Sequence, residues 1–576
     1  MSDSSAAAAP RQVEPGVDTL PAGRGSWSWE TWIFAAALIC SAGLILYAGR
    51  RMGFYYDEWQ YLQFRRGGDL GTYLDPHNGH LSLIPVAIYK LLFATIGIDH
   101  YWPYRVVLLI FHLTTCVLLF VLVRRRLGDR AALIAGLLLV LMASSSENLL
   151  WAFQLDFVGS IAAGLGAFVM LDRPSRRNDR WACVLVIVSL ACSSLGVAFL
   201  IGVAVELLLE PYRRRQLWIV VLPGALFGLW LLGWGDGGQL MRENLGAMTQ
   251  YVADSASAVA AGIFGLPSWG QVLLVGGAVA VAVLRRGDPL APIPSPRLAG
   301  LVVTILTFWS LTALSRAQLH EPDAPRYLYL GAVMLMLIVA SLLPRPRTWS
   351  GWMTATTIVL LGFILLGNAY RLRDAERFFR GIWEPLRGSL AAFEVAGTHT
   401  PPTMAPNSPS WPNLTAGPYL AAVRDNGSPT GGGAWLIHAS ERQRQIADAQ
   451  LVAAEAIDAR PVDAAPISSG AAPDVEQPAS GTVRAGTSCV RFAPTASDGA
   501  LTLQLRPGAS IAIEAADRAP ASVQVRRFAD ELTSLTTAVA GGSTAVLATV
   551  LDGAPTVPWH VRITSSGRVR VCSTSG

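Results

Sequence analysis

Apolar runs of about 15 to 20 residues recur through the first two-thirds of the chain, and the short segments between them gather arginine. Such windows lie near 31–49, 104–123, 131–149, 155–171, 181–194, 196–209, 217–234, 270–284, 299–315, 326–343 and 350–368. They predict about eleven transmembrane helices. The basic stretches "RRRLGDR" (124–130), "RPSRRNDR" (173–180), "EPYRRRQ" (210–216), "RRGDPLAPIPSPR" (285–297) and "RPR" (345–347) share one side on two conditions. Residues 81–98 must lie along the surface, and 181–209 must turn back at "SSLG" (193–196). Lys90, in the middle of 81–98, favours the first condition. Positive loops stay cytoplasmic, so the amino terminus is expected inside and everything after about 369 outside. The polar first thirty residues carry no secretory leader pattern, so the first span reads as a retained anchor.

Beyond the last window the pattern changes twice. Helical spacing covers 371–397, a Pro, Ser, Thr and Gly-rich stretch covers 398–433, and a second helix is expected over 439–457. After the linker "PVDAAPISSGAAPDVEQPASG", apolar and polar residues alternate in "CVRFAP", "LTLQLRPGASIAIEA", "ASVQVRRFA", "STAVLATVL" and "WHVRITSSGRVRVCS". The domains expected are therefore a disordered cytoplasmic tail (1–30), a transmembrane domain (31–370), an extracytoplasmic helical and linker region (371–482) and a β-sandwich (483–576). Cys489 and Cys572 lie near the two ends of that sandwich, and an oxidising compartment would join them.

Composition makes the membrane reading firm. The chain of 576 residues is 52% hydrophobic and 15% charged, with mean hydropathy +0.40, too apolar to hide its surface in a soluble fold of this length. Its net charge of +5 sits at the ends of apolar windows, so it reports orientation and gives no reason to expect nucleic acid.

The stretch "GFYYDEWQYL" (53–62) places Asp57 and Glu58 side by side just past the first window. Two readings fit. An acid before a helix caps its free amides. A carboxylate at the lipid boundary also suits a base that takes a proton from a sugar-accepting hydroxyl. In "HNGH", His77, Asn78 and His80 can hold an anionic donor or order the loop; a divalent metal lacks a third ligand at defined spacing, so no cofactor is expected. "SSSENLLWAFQLD" sets Glu147 and Gln154 near Trp151, a set suited to a sugar or to an interfacial turn. "SRAQLHEPDAPRYLYL" puts Arg316, His320 and Arg326 on the side that otherwise lacks arginine. A guanidinium there fits a phosphate, or pairs with Glu321 or Asp323. Arg105 is a further phosphate candidate. No Walker, Ser-His-Asp or Cys-x-x-Cys pattern occurs, which speaks against ATP hydrolysis, serine-hydrolase and redox chemistry.

The run "YYDEWQYL", followed by "DPHNGHLSLIPVAIYKLLFATIGIDHYWPYRVVLLIFHL", resembles the first extracytoplasmic loop and second span of the GT-C superfamily of polyprenol-phosphate-sugar-dependent glycosyltransferases. The resemblance extends over about residues 50 to 370 and does not reach the β-sandwich. It implies a GT-C-like membrane domain in which Asp57 is the base and Glu58 orients it. "PRY" (325–327) looks like the late outer loop that contacts lipid phosphate, which implicates Arg326 and Tyr327. The implied partners are a polyprenyl-phosphate sugar donor, a glycan, lipid or protein acceptor of the cell envelope, and membrane lipids. The alternatives from other classes are a non-enzymatic envelope assembly protein and a lipid-linked glycan transporter.

Overall fold

A computed structural model describes residues 28–235, 240–286, 295–344, 349–408, 414–463, 471–479, 481–535 and 538–574. Residues 1–27 of the expected tail, the middle of the 285–297 loop and the stretch 345–347 lie outside the described residues.

The first window forms α1 (Trp29–Ala48), whose start is capped by the Ser28 hydroxyl. It stops at Gly49, where any Cβ would collide with the Arg105 guanidinium. Three short helices follow: α2 (Asp57–Phe64), α3 (Gly71–Leu74) and α4 (Leu83–Thr95). At 13 residues α4 is only about 20 Å long and does not cross a bilayer core of about 30 Å. Next comes α5 (Trp102–Leu127), ending in three arginines and Gly128. The window 131–149 is not one helix: α6 (Asp129–Val140) and the piece ending in α7 (Ser146–Leu150) meet at a 41° bend.

The rest of the bundle is α8 (Leu155–Leu171), α9 (Arg176–Cys192), α10 (Gly196–Leu209), α11 (Trp218–Trp234), α12 (Met248–Phe264), α13 (Gly270–Arg285), α14 (Pro296–Arg316) and α15 (Pro325–Leu342). Among the described residues seven helices are long and apolar enough to span, or eight with the bent pair, against the eleven or so expected. The difference falls on short elements: α10 has 14 residues and α11 has 17. Conversely, α12 lies inside a stretch that hydropathy left as an outer loop. Its sequence mixes small and polar residues, so one face buries Tyr251, Ser255 and Val259 without a continuous apolar run.

The last window and the following helical segment are a single helix, α16 (Gly351–Ala396). Its 46 residues reach about 69 Å. The amino-terminal part is largely exposed, whereas Trp383, Leu386 and Leu390 pack in the core of the bundle's loops and Ala391, Ala392 and Val395 enter the core of the β-domain. One rigid element therefore joins the two. Helices α17 (Ala416–Asn426), α18 (Gly432–Leu436) and α19 (Glu441–Ala453) pack around its end, α19 being opened by a Ser440–Gln443 capping box.

The β-domain has two antiparallel sheets. One has the order β1 (Ile457–Val462), β9 (Thr544–Thr549), β6 (Ser510–Ala515), β11 (Val569–Ser573), β4 (Cys489–Pro494), β3 (Gly481–Ala485). The other runs β2 (Asp474–Ala479), β5 (Gly499–Leu505), β10 (Trp559–Ser565), β7 (Ala521–Arg526), β8 (Thr533–Ser534). Alternating burial, as in β5 and β10, turns Leu501, Leu503, Val561 and Ile563 into the shared core. The strands begin at Ile457, well before 483. Both early strands are sheet edges, and their prolines and weak alternation read as linker although an edge tolerates them. Cys489 and Cys572 pair directly across β4 and β11 and their sulfurs are bonded. The chain is thus a polytopic α-helical membrane protein with a carboxyl-terminal β-domain.

Candidate functional site

The chain leaves α1 and reaches α2 through Tyr56, whose φ of +46° and ψ of −108° are costly for a residue with a side chain. Both acids of the pair are buried. They do different things.

Glu58, the second residue of α2, is fully buried and reaches back to the chain before the helix. Its Oε2 accepts from the Tyr55 amide at 2.7 Å and from the Tyr101 hydroxyl at 3.1 Å, and its Oε1 accepts from the Tyr89 hydroxyl at 2.6 Å. Burial pushes its pKa up to about 8 against those bonds. Among the described residues no hydrogen bond links it to Asp57. The bonds of Glu58 anchor α2 to α4 and to the start of α5.

Asp57 caps nothing. Its Oδ1 meets His77 Nε2 at 3.2 Å and accepts from Asn78 Nδ2 at 3.1 Å. When Nε2 carries the imidazole proton it donates to that oxygen. Among the described residues both bonds fall on Oδ1, which leaves Oδ2 to receive a proton. The two partners are positioned by "HNGH", where Asn78 (φ +51°) and Gly79 (φ +76°) form a tight reversal. His77 and His80 close it by exchanging amide-to-carbonyl bonds of 2.9 Å each. His80 thus contributes backbone. The His77 ring is held between Tyr61 and Phe153, with ring centroids at 4.9 and 5.2 Å.

A second charged group comes from the α7 and α15 ends. Arg326 Nη1 lies 3.2 and 3.4 Å from the two Glu147 oxygens, and its Nη2 lies 3.7 Å from Glu321. The guanidinium sits over the Tyr327 ring at 4.8 Å, and that ring packs against Phe308. Arg326 keeps about a quarter of its side chain exposed.

Tyr55 connects the two groups. Its phenol is pushed up to about 12, first by burial, then by Glu147, while Arg326 opposes and Asp57 adds to the shift. Its ring meets Trp151 and Phe379 edge-on at 5.0 and 5.1 Å, and its carbonyl accepts from Trp151 Nε1. Asp57, Glu147 and Arg326 therefore share one electrostatic neighbourhood around an aromatic wall. Sequence reasoning missed Tyr55, Phe153 and Phe379. The density of rings around Asp57 was the available signal for Tyr55, but nothing pointed to Phe379, which arrives from α16.

Other expected residues lie elsewhere. Arg105 is 2% exposed and donates to the Ile45, Leu46 and Leu150 carbonyls. It ties down the last turn of α1 and the end of α7, its guanidinium occupied by carbonyls. Gln154 is buried and accepts from Asn148 Nδ2 at 3.3 Å. His320 is exposed and meets the Gln318 carbonyl at 3.0 Å. Arg316 closes α14 and is half-buried. Among the described residues no set of three His, Cys, Asp or Glu side chains is placed to hold a metal ion. A separate cavity of about 430 Å³, lined by Arg51, Phe54, Tyr101, Trp383 and Arg387 among others, opens toward α19 and does not include Asp57.

No family model and no curated protein matches the chain. Among solved structures it is similar to ArnT from Cupriavidus metallidurans bound to undecaprenyl phosphate, with 14% sequence identity and a TM-score of 0.44. The match covers 68% of this chain and 85% of that one.

Proposed function

We propose that the chain is a membrane glycosyltransferase that moves a sugar from a polyprenyl-phosphate donor to a cell-envelope acceptor at the outer face of the membrane. The observation that carries this reading is Asp57, a buried carboxylate held through one oxygen by His77 and Asn78, in the same electrostatic neighbourhood as the partly exposed Arg326. A base and an anion site within one aromatic-walled region are what transfer from a lipid phosphate requires.

The chemistry balances without a further reactant. An acceptor hydroxyl gives its proton to Asp57 Oδ2 as its oxygen forms a bond to the anomeric carbon. The bond from that carbon to phosphate oxygen breaks, and the phosphate leaves with the electron pair. Arg326 exchanges part of its contact with Glu147 for the leaving phosphate, whose two charges its planar fork suits. Tyr55, Trp151 and Phe153 supply faces for the sugar and exclude water.

In this reading the loops holding Asp57 and Arg326 and the β-domain lie outside, with the amino terminus in the cytoplasm. The test is to supply the purified full chain with polyprenyl-phosphate sugars and an envelope acceptor fraction. Labelled glycan should appear together with an equal amount of free polyprenyl phosphate. Binding of the lipid with no release of phosphate would favour the transporter or assembly alternatives and overturn the proposal.

A further inference from the structure

A second polar cavity, of about 390 Å³, lies at the opposite end of the bundle. Helix polarity shows the separation. The α5, α8 and α15 helices all start at the candidate site, with Trp102, Leu155 and Pro325, and finish near this cavity. The 18 residues of α15 span about 27 Å, close to the thickness of a bilayer core. The cavity therefore opens at the other membrane surface.

Four guanidiniums line it, from Arg125, Arg126, Arg173 and Arg297, against two carboxylates among the described residues, Asp172 in the wall and Glu206 behind Arg297. They come from three separate parts of the chain, so no single basic loop accounts for the grouping. Arg125 and Arg297 both bond Asp172, at 2.9 and 2.8 Å, and Arg297 also holds Glu206 at 2.7 Å, which fixes two of the four in place. Arg126 donates to the Ser341 carbonyl, and Arg173 is exposed. Below this polar rim the wall is apolar, formed by Leu122, Leu301 and Leu337. An excess of positive charge at the surface above an apolar wall matches a molecule with an anionic head and a hydrocarbon tail.

We propose that this cavity binds the head group of an anionic phospholipid in the leaflet opposite the candidate catalytic loops. Phosphate oxygens meet the exposed guanidiniums of Arg126 and Arg173, Arg125 and Arg297 stay paired with carboxylates and frame the cavity, and the acyl chains run along the leucines. The site is independent of sugar transfer, so failure of either reading leaves the other standing.

The experiment is native mass spectrometry of the full chain in detergent, titrated with phosphatidylglycerol and, separately, phosphatidylcholine. Phosphatidylglycerol should bind at least about tenfold more tightly. In Arg126→Gln/Arg173→Gln that preference should vanish, since two guanidiniums at a membrane surface account for at least about a tenfold difference. Arg173→Gln alone, at an exposed position, serves if the double variant does not fold, with a smaller loss in the same direction. Equal binding of the two lipids, or an unchanged preference in the folded variants, overturns the proposal. So does full displacement of phosphatidylglycerol by equimolar inorganic phosphate, which would assign the cavity to a soluble anion.

Discussion

Arg527 in the β-domain and Arg326 at the end of the bundle both face carboxylates, yet they are held in opposite ways. Arg527 and Asp552 have fully buried side chains. Arg527 Nη2 donates to Asp552 and Ala554 at 2.9 and 2.8 Å, Nε donates to the Val557 carbonyl, and the Phe528 and Trp559 rings cover the guanidinium. That pair is saturated and dry. Arg326 meets Glu147 at 3.2 to 3.4 Å and Glu321 at 3.7 Å, with part of its surface exposed. A saturated pair defines a fold and has nothing to offer a ligand, whereas a looser, partly wet pair can change partners at modest cost. The contrast separates structural arginines from the one proposed to meet phosphate.

The largest effect should come from breaking the saturated pair. Arg527→Ala leaves Asp552 buried and uncompensated, and should destabilise the β-domain by about 3–5 kcal/mol in denaturant unfolding. Arg326→Ala should cost less than about 1 kcal/mol in the same measurement. Equal losses would erase the distinction. Next comes donor use: Arg326→Ala should raise the donor KM by roughly 10- to 100-fold, and Arg326→Lys, which keeps charge but loses the fork, should fall between. Normal transfer by a folded Arg326→Ala would leave this residue as an ion-pair partner only.

The two acids of "YYDEWQYL" differ in the same way. Glu58 belongs with the saturated groups, and its folded pKa of about 8 lies above the ordinary carboxyl value of 4.5. Between those values the native state holds a proton that the unfolded chain has lost, so this group's stabilising contribution is complete below about pH 4.5. It then declines as pH rises and levels off above about 8. Glu58→Gln mimics the protonated form, so its stability relative to the parent should increase from pH 5 to 8. A flat difference in thermal unfolding across that range would show that Glu58 is already charged. The smallest effect is expected from Asn78→Gly, which keeps the positive φ of the turn and removes one of the two bonds to Asp57. Transfer should slow several-fold with stability nearly unchanged; a loss as large as that from replacing Asp57 itself would mean that Asn78 touches substrate.

Much of the architecture is legible in the sequence because it depends on local pattern. The apolar runs behind α1, α5, α14 and α15 and the alternation of β5 and β10 announce themselves. What hides is set by neighbours. The α12 helix is amphipathic rather than apolar, β1 and β2 are proline-bearing edges, and α16 continues through a change of surroundings that reads as a break. At the site, "HNGH" is readable as a polar group that orders its loop, but its landing place on Asp57 is not. Arg105 has the composition of a phosphate binder and is instead buried among helix-end carbonyls. Residue type gives the chemistry a group can do, and only packing says whether a ligand can reach it.

Asp57 carries the central claim. In Asp57→Asn the side chain keeps its shape and most of its hydrogen bonding but cannot take a proton. The measurement is single-turnover transfer from a polyprenyl-phosphate sugar by the purified variant in detergent, with donor binding and thermal stability followed on the same sample. The rate should fall by about a hundredfold or more, with donor binding and stability close to those of the parent. A folded Asp57→Asn that transfers sugar at the parental rate would contradict the claim.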